Sequence, residues 1–470
     1  MRISDYTESL FEMNPDRLIR YFRISAPADR KVPDAEIESS YKRLRSRTFW
    51  GVTSAYSLYY ICRMALSVVK QPVIDEGLLT AGQLGLIGSA MSFVYAVGKF
   101  ANGFIADHCN IRRFMAAGLF ISAILNLVMG LCGLITPFAQ GGFALLSAFI
   151  LLWGFNGWVQ SMGAPPGVIS LSRWFPLRQR GTFYSILCST PYLGKFISIV
   201  LTGHVVVLVG WQYGFILSSI GGLVGVAIIL FFVSDTPESK GLPSVQELSG
   251  EAPAKADSIP TKELQKAVLR HGGIWIIALS SAFVYITQYG LSNWGILFLQ
   301  KSKAFSLTEA AWIIGFSEAF GVAGTVFAGW LSDKVFSGKR VPPVALSGVV
   351  CMVALSLFLF TRGSAWLNIV YVAVFSLSIG VLYCIVAGLM ALDIVPRKAT
   401  GAALGVVGIS SYVAVGLQDI VSGFLIQRGQ AESSEFDFTG VAVFWLVSCL
   451  ISFLLPIVNW RKMKRKVADF

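Results

Sequence analysis

The chain has 470 residues, 55% of them hydrophobic and 14% charged, with a formal net charge of +12. Soluble domains carry about 25% charged residues, whereas here apolar runs of roughly 20 residues, enough to cross a ~30 Å hydrocarbon core, recur along nearly the whole length. That excludes an ordinary soluble enzyme and a soluble domain on one anchor, and it implies an all-α bundle of spanning helices.

Residues 1–47 are rich in charge and lack the basic, apolar and small-residue succession of a cleavable signal. They predict a cytoplasmic arm. Within it Leu10, Phe11, Leu18, Ile19 and Phe22 interleave with Arg17, Arg20 and Arg23, a pattern that fits a helix on the membrane surface or a solvated arm. Six spans follow at 48–69, 83–106, 114–135, 143–170, 182–209 and 211–233. Ser234 to His271 is polar, charged and broken by Pro237, Pro243, Pro253 and Pro260, which reads as a cytoplasmic linker. Six more spans are predicted at 273–299, 309–331, 342–361, 367–392, 401–427 and 440–460. The expected organisation is an arm (1–47), a six-helix bundle (48–233), a linker (234–271), a second six-helix bundle (272–460) and a cytoplasmic tail (461–470).

Thirty of the 38 Lys and Arg fall on the side of the arm, linker and tail, against five on the other: Lys70, Lys301, Lys303, Arg362 and Arg428. This positive-inside bias predicts a multi-pass protein of a bacterial inner membrane with both termini cytoplasmic, and it accounts for the net charge without a nucleic-acid partner. The seven cysteines have no paired spacing and the three histidines lie apart, so neither a metal site nor a cofactor is expected.

The two halves repeat. Gly98-Lys-Phe-Ala-Asn-Gly103-Phe-Ile-Ala-Asp107 with Arg112 and Arg113 matches Gly324-Thr-Val-Phe-Ala-Gly329-Trp-Leu-Ser-Asp333 with Lys339 and Arg340. Pro176 to Gly181 matches Pro396 to Gly401, and Tyr60-Ile-Cys-Arg63 matches Tyr285-Ile-Thr-Gln288. Repeats in one order at nearly one offset make corresponding helices pseudo-two-fold mates about the membrane normal, with a cleft between the halves. The twice-seen Gly-x-x-x-Asp with a trailing basic pair resembles the signature of the major facilitator superfamily. It implies twelve transmembrane helices in two pseudo-symmetric bundles. In it the glycine permits close helix approach, while Asp107, Arg112, Arg113, Asp333, Lys339 and Arg340 form conformational charge networks.

Five ionisable residues fall inside spans: Arg63, Lys99, Lys195, Glu318 and Asp419. Each costs at least ~2.5–3.5 kcal/mol to insert, so each is a candidate for function or for an interhelical ion pair. Arg63 shares a helix face with Tyr56, Tyr59, Tyr60, Ser67 and Lys70, Lys99 lies one turn after Tyr95, and Gln288 is flanked by Tyr285 and Ser292. A guanidinium fork, a lysine point charge and tyrosine hydroxyls suit a phosphate, sulfonate or carboxylate. The expected partners are therefore a small organic anion and the bilayer, with the chain functional as a monomer.

Several segments are similar to the organophosphate:phosphate antiporter family: Tyr59-Tyr60-x-x-Arg63, Tyr95-Ala-Val-Gly98-Lys99, Asn156-Gly157-x-x-Gln160-x-x-Gly163-Ala-Pro165-Pro166-Gly167, Ser234-Asp235-Thr236-Pro237-Glu238, and Glu318-Ala-Phe-Gly321. The resemblance implies exchange of glycerol-3-phosphate or a sugar phosphate for inorganic phosphate by alternating access. It places Arg63, Lys99, Tyr59, Tyr60, Tyr95, Gln288, Tyr285 and Lys195 at the substrate. The family also holds a sugar-phosphate sensor, so a receptor is the second reading, and proton-coupled symport through Glu318 or Asp419 the third; no nucleophile set suggests an enzyme. Departures stand beside the resemblance: Gln288 occupies the place of the family's second arginine, Met64 that of a lysine, and Pro191 that of a histidine. Lys195, one turn after Pro191, either supplies the charge lost at Gln288 or pairs structurally with Glu318 or Asp419.

Overall fold

The computed structural model describes residues 20–135, 141–249, 266, 268–395, 400–433 and 436–465. The proposed surface-helix residues up to Ile19 and the end of the tail lie outside them. Among the described residues twelve long helices follow in chain order: α1 (Asp34–Asp75), α2 (Ala81–Asp107), α3 (Ile111–Cys132), α4 (Gly142–Trp174), α5 (Leu177–Val209), α6 (Trp211–Phe232), α7 (Gly272–Lys303), α8 (Leu307–Trp330), α9 (Val341–Phe360), α10 (Ala365–Leu389), α11 (Thr400–Ser433) and α12 (Thr439–Arg465).

Among the described residues, eleven helices are long and apolar enough to span a membrane, and α1 is the exception. Arg63, Lys70 and a stripe of Tyr and Ser dilute its apolar character although its 42 residues are ample length. The helix that falls short on apolarity is the one that carries the candidate site.

Helix ends follow local chemistry. Thr80 opens α2 and Ser306 opens α8 with reciprocal capping boxes through Gln83 and Glu309. Those two helices are repeat mates, so even the caps are duplicated.

The packing pattern repeats as well. In the first half α1 packs on α5 and α6, α2 on α4, and α3 on α6; in the second α7 packs on α11 and α12, α8 on α10, and α9 on α12. Across the halves α2 meets α11, α5 meets α8, and α1 meets α7. Since α2 corresponds to α8 and α5 to α11, the first two contacts are exchanged by the pseudo-two-fold.

These inter-half contacts are tight at the end of the bundle away from the arm, here the distal end. A Cβ on Gly85 of α2 would come within 2.4 Å of the Asp419 carbonyl oxygen, and one on Gly423 of α11 within 2.7 Å of the Ala81 carbonyl. On the other pair, Gly203 of α5 faces the Ala311 methyl, 2.8 Å from where a Cβ would lie. At the opposite, arm end, a Cβ on Gly103, Gly329, Gly388 or Gly405 would meet nothing within 4 Å. The halves therefore touch distally and part toward the arm end. This corrects the expectation for the signature motif: Gly103 and Gly329 border open space here, because the halves are apart at that end.

Candidate functional site

Arg63 lies about two-thirds of the way along α1, only 9% exposed. Its guanidinium carbon sits 4.2 Å from the Tyr95 ring centroid and 5.5 Å from those of Tyr60 and Tyr412. Rings from α1, α2 and α11 thus surround it. Ring quadrupoles stabilise a desolvated cation by about 2 kcal/mol or more. Among the described residues no carboxylate pairs with Arg63; the ion pairs there are Lys42–Glu38, Arg173–Asp235, Lys195–Glu318, Lys301–Asp75 and Arg340–Asp393. Lys99 of α2, half-buried, holds its ammonium 4.9 Å from the centroid of Tyr412, a ring that also faces Arg63.

The tyrosine wall continues into the second half. Tyr285 stacks on Tyr289 and Tyr383, donates its hydroxyl to that of Tyr383 at 2.9 Å, and meets Tyr412 edge-on. Tyr289 and Tyr412 form a partition, since Tyr412 faces Arg63 while Tyr289 lies 5.0 Å from the Lys195 ammonium.

Behind that partition is a second polar pocket. Lys195 of α5 pairs with Glu318 of α8 at 3.2 Å, with side chains 4% exposed on each side, and Ser292 donates to the same carboxylate at 2.7 Å. A small cavity there is lined by Tyr192, Gln288, Ser292, Ser317, Glu318 and Ser376. The Gln288 carbonyl oxygen is buried and accepts no hydrogen bond from the described residues, a state that costs about 1–3 kcal/mol unless a ligand or water donates to it. Gln288 thus lies with Glu318 rather than inside the ring of tyrosines around its repeat mate Arg63.

Of the residues expected at the substrate, Arg63, Lys99, Tyr60, Tyr95 and Tyr285 form one cluster, and Gln288 and Lys195 the adjoining pocket. Tyr59 joins neither. It donates to the Met115 carbonyl of α3 at 2.6 Å and packs against Gly163, because its rotation on α1 turns it into the first half's own core. Glu318 and Asp419 are both satisfied: Asp419 accepts from Asn293 Nδ2 at 3.1 Å and Trp294 Nε1 at 3.0 Å.

The conformational residues are arranged differently from the expected network. Asp107 offers its backbone carbonyl, not its carboxylate, to Arg173 at 3.3 Å. Arg112 donates to the Leu230 carbonyl, and Arg113 to the Tyr21 carbonyl while lying over the Tyr21 ring. The carboxylate of that region is Asp235, which takes Arg173 at 2.5 Å, the Ser25 N–H at 2.7 Å and the Ile111 N–H at 3.0 Å. In the second half Arg340 pairs with Asp393 at 2.8 Å and donates to Ser332 at 2.6 Å. Lys339 is exposed, and the Asp333 side chain lies outside the described residues.

Sequence reasoning missed Tyr192, Tyr289, Tyr383 and Tyr412. The repeat carries a signal for two of them, since the offset of Pro176 and Pro396 pairs Tyr192 with Tyr412. The same register pairs Arg173 with Asp393, so that one position carries opposite charges in the two halves, and each half has an arm-end ion pair.

Comparison with known proteins follows the same lines. The family model described as Major Facilitator Superfamily matches residues 52–418. The chain is 30% identical to a glycerol-3-phosphate transporter of Bacillus subtilis (strain 168) over 450 residues, 94% of this chain and 98% of that one. It is 28% identical to a probable hexose phosphate transport protein of Chlamydia trachomatis, over 93% of this chain and 96% of that one. Among solved structures, a bacterial homologue of the human lysosomal transporter Spinster, inward-facing and unoccupied, superposes with a TM-score of 0.71 at 17% identity over 91% of this chain and 98% of that one.

Proposed function

The chain belongs to the major facilitator superfamily, and on that footing we propose that it carries an organic phosphate across a membrane in exchange for inorganic phosphate. The observation that carries this reading is the buried Arg63, ringed by Tyr60, Tyr95 and Tyr412 with its N–H donors aimed at no described carboxylate. A guanidinium in that state is a fork for two phosphate oxygens, and Lys99 beside Tyr412 adds a second positive charge. The names of the glycerol-3-phosphate and hexose phosphate relatives support phosphate over sulfonate or carboxylate.

The two pockets divide the labour. Arg63 and Lys99 take the phosphoryl group, which inorganic phosphate and a phosphomonoester share. Gln288, Ser292 and Tyr192, organised by the Lys195–Glu318 pair, meet the organic part, and the unsatisfied Gln288 carbonyl suits a substrate hydroxyl. Transport follows from rocking the halves: the distal contacts of α2 with α11 and α5 with α8 loosen while the open glycine faces at the arm end come together. The positive-inside bias assigns the arm end, with both termini, to the cytoplasm of an inner membrane. Both halves of the site lie in one chain, which supports a monomer as the working unit.

The test is uptake of labelled inorganic phosphate into proteoliposomes preloaded with glycerol-3-phosphate, a hexose-6-phosphate, or buffer. Uptake driven by a preloaded organic phosphate supports the carrier. Saturable binding of the organic phosphate with no uptake under any preload points instead to the receptor.

A further inference from the structure

One more buried cation lies outside the pockets just described. Lys70 stands seven residues after Arg63 on the same face of α1, about 10 Å nearer the distal end. The apolar run ends beside it, which makes it read as a loop residue, yet α1 continues to Asp75 and Lys70 is only 3% exposed. Its ammonium donates to the Asn293 carbonyl at 2.9 Å and lies 3.4 Å from the Trp294 ring centroid.

Both partners belong to α7, in the opposite half. The nearby carboxylate is differently placed: Asp419 of α11 takes its hydrogen bonds from Asn293 and Trp294, in its own half. When α1 and α7 separate distally, Asp419 keeps its donors and Lys70 loses both partners. A lysine bared in a narrow vestibule with low-dielectric walls attracts an anion strongly.

We propose that Lys70 is a phosphate-capture station of the distal-open state, which takes the phosphoryl group of inorganic phosphate or a phosphomonoester and passes it inward to Arg63. This rests on the phosphate-exchange reading above. The transfer is favoured because a guanidinium fork binds two phosphate oxygens where an ammonium offers a point charge. It is also coupled to closure, since Lys70 regains Asn293 and Trp294 only after the anion has left it. Lys70 thereby guards one face of the membrane and not the other.

The experiment compares right-side-out and inside-out membrane vesicles carrying wild type, Lys70→Gln or Lys70→Arg, with labelled inorganic phosphate as the probe in exchange. For Lys70→Gln the KM at the distal face rises about tenfold while the KM at the arm face moves by less than about twofold. Lys70→Arg keeps the distal KM within about threefold of wild type. The arm-face measurement on the same variant shows that the protein is folded and turning over. Equal changes at both faces, an unchanged distal KM in Lys70→Gln, or equal losses in the Gln and Arg variants overturn the capture role. Absence of phosphate exchange in wild type sinks the underlying reading and this proposal with it, whereas exchange in wild type with an unaltered Lys70→Gln sinks the proposal alone.

Discussion

Arg63 and Lys195 are both buried cations, and their surroundings give them different work. Arg63 has rings around it and no described carboxylate beside it; Lys195 has a carboxylate at 3.2 Å. Arg63→Lys keeps the charge and loses the planar fork, so phosphate affinity should fall about 10- to 100-fold, read by displacement of labelled phosphate from purified protein. Wild-type affinity in that variant would make Arg63 a structural cation. Lys195→Met leaves Glu318 buried without its cation and should cost about 3–5 kcal/mol of stability, most of it recovered when Glu318→Gln removes the second charge. In the recovered double variant, organic phosphate should compete less well against inorganic phosphate, because the second pocket is altered and Arg63 is not. A double variant with the same preference as wild type would reduce the pair to a structural bond. The cations themselves were legible in the sequence because charge inside an apolar run is conspicuous. Their partners were legible only in part: Glu318 was one of two carboxylates expected for Lys195 and the fold selects it, whereas Tyr412 comes from a helix hundreds of residues from Arg63, and Tyr59, one position before Tyr60, turns into the core for reasons that only packing against Met115 reveals.

At the level of helices, the sequence showed twelve apolar runs and the repeat that relates them, while what decides the conformation is which end of each pair is in contact. Gly85 sits against the Asp419 carbonyl and Gly103, on the same helix, borders open space. Gly85→Leu should therefore wedge α2 from α11 and favour the distal-open state. With spin labels at Asp75→Cys and Lys301→Cys, residues joined by a distal ion pair, the label distance should lengthen in Gly85→Leu and stay unchanged in Gly103→Leu. An unchanged distance in Gly85→Leu would mean that this contact does not hold the distal end shut. The arm-end charge pairs show the other limit of sequence reading. Asp235 stood out as part of a family-like motif, but its role as the point where Ser25, Ile111 and Arg173 converge depends on segments up to 210 residues apart.

Over the whole molecule, the duplicated caps and helix contacts make one half echo the other, and the proposed site lies where the halves depart from that symmetry. Arg63 has Gln288 as its mate, and Lys195 stands where the second half has Val415. On the exchange reading proposed above, such a chain alternates its two closed ends around an unchanged pair of pockets, one phosphate species replaces another, and no net proton movement is required. The direct measurement is efflux of labelled inorganic phosphate from proteoliposomes with the proton gradient collapsed, with and without organic phosphate outside. The expected result is efflux that starts on adding the organic phosphate and stops without it. Efflux indifferent to the external phosphate, or movement that appears only under an imposed pH gradient and is abolished by Glu318→Gln, would contradict obligatory exchange.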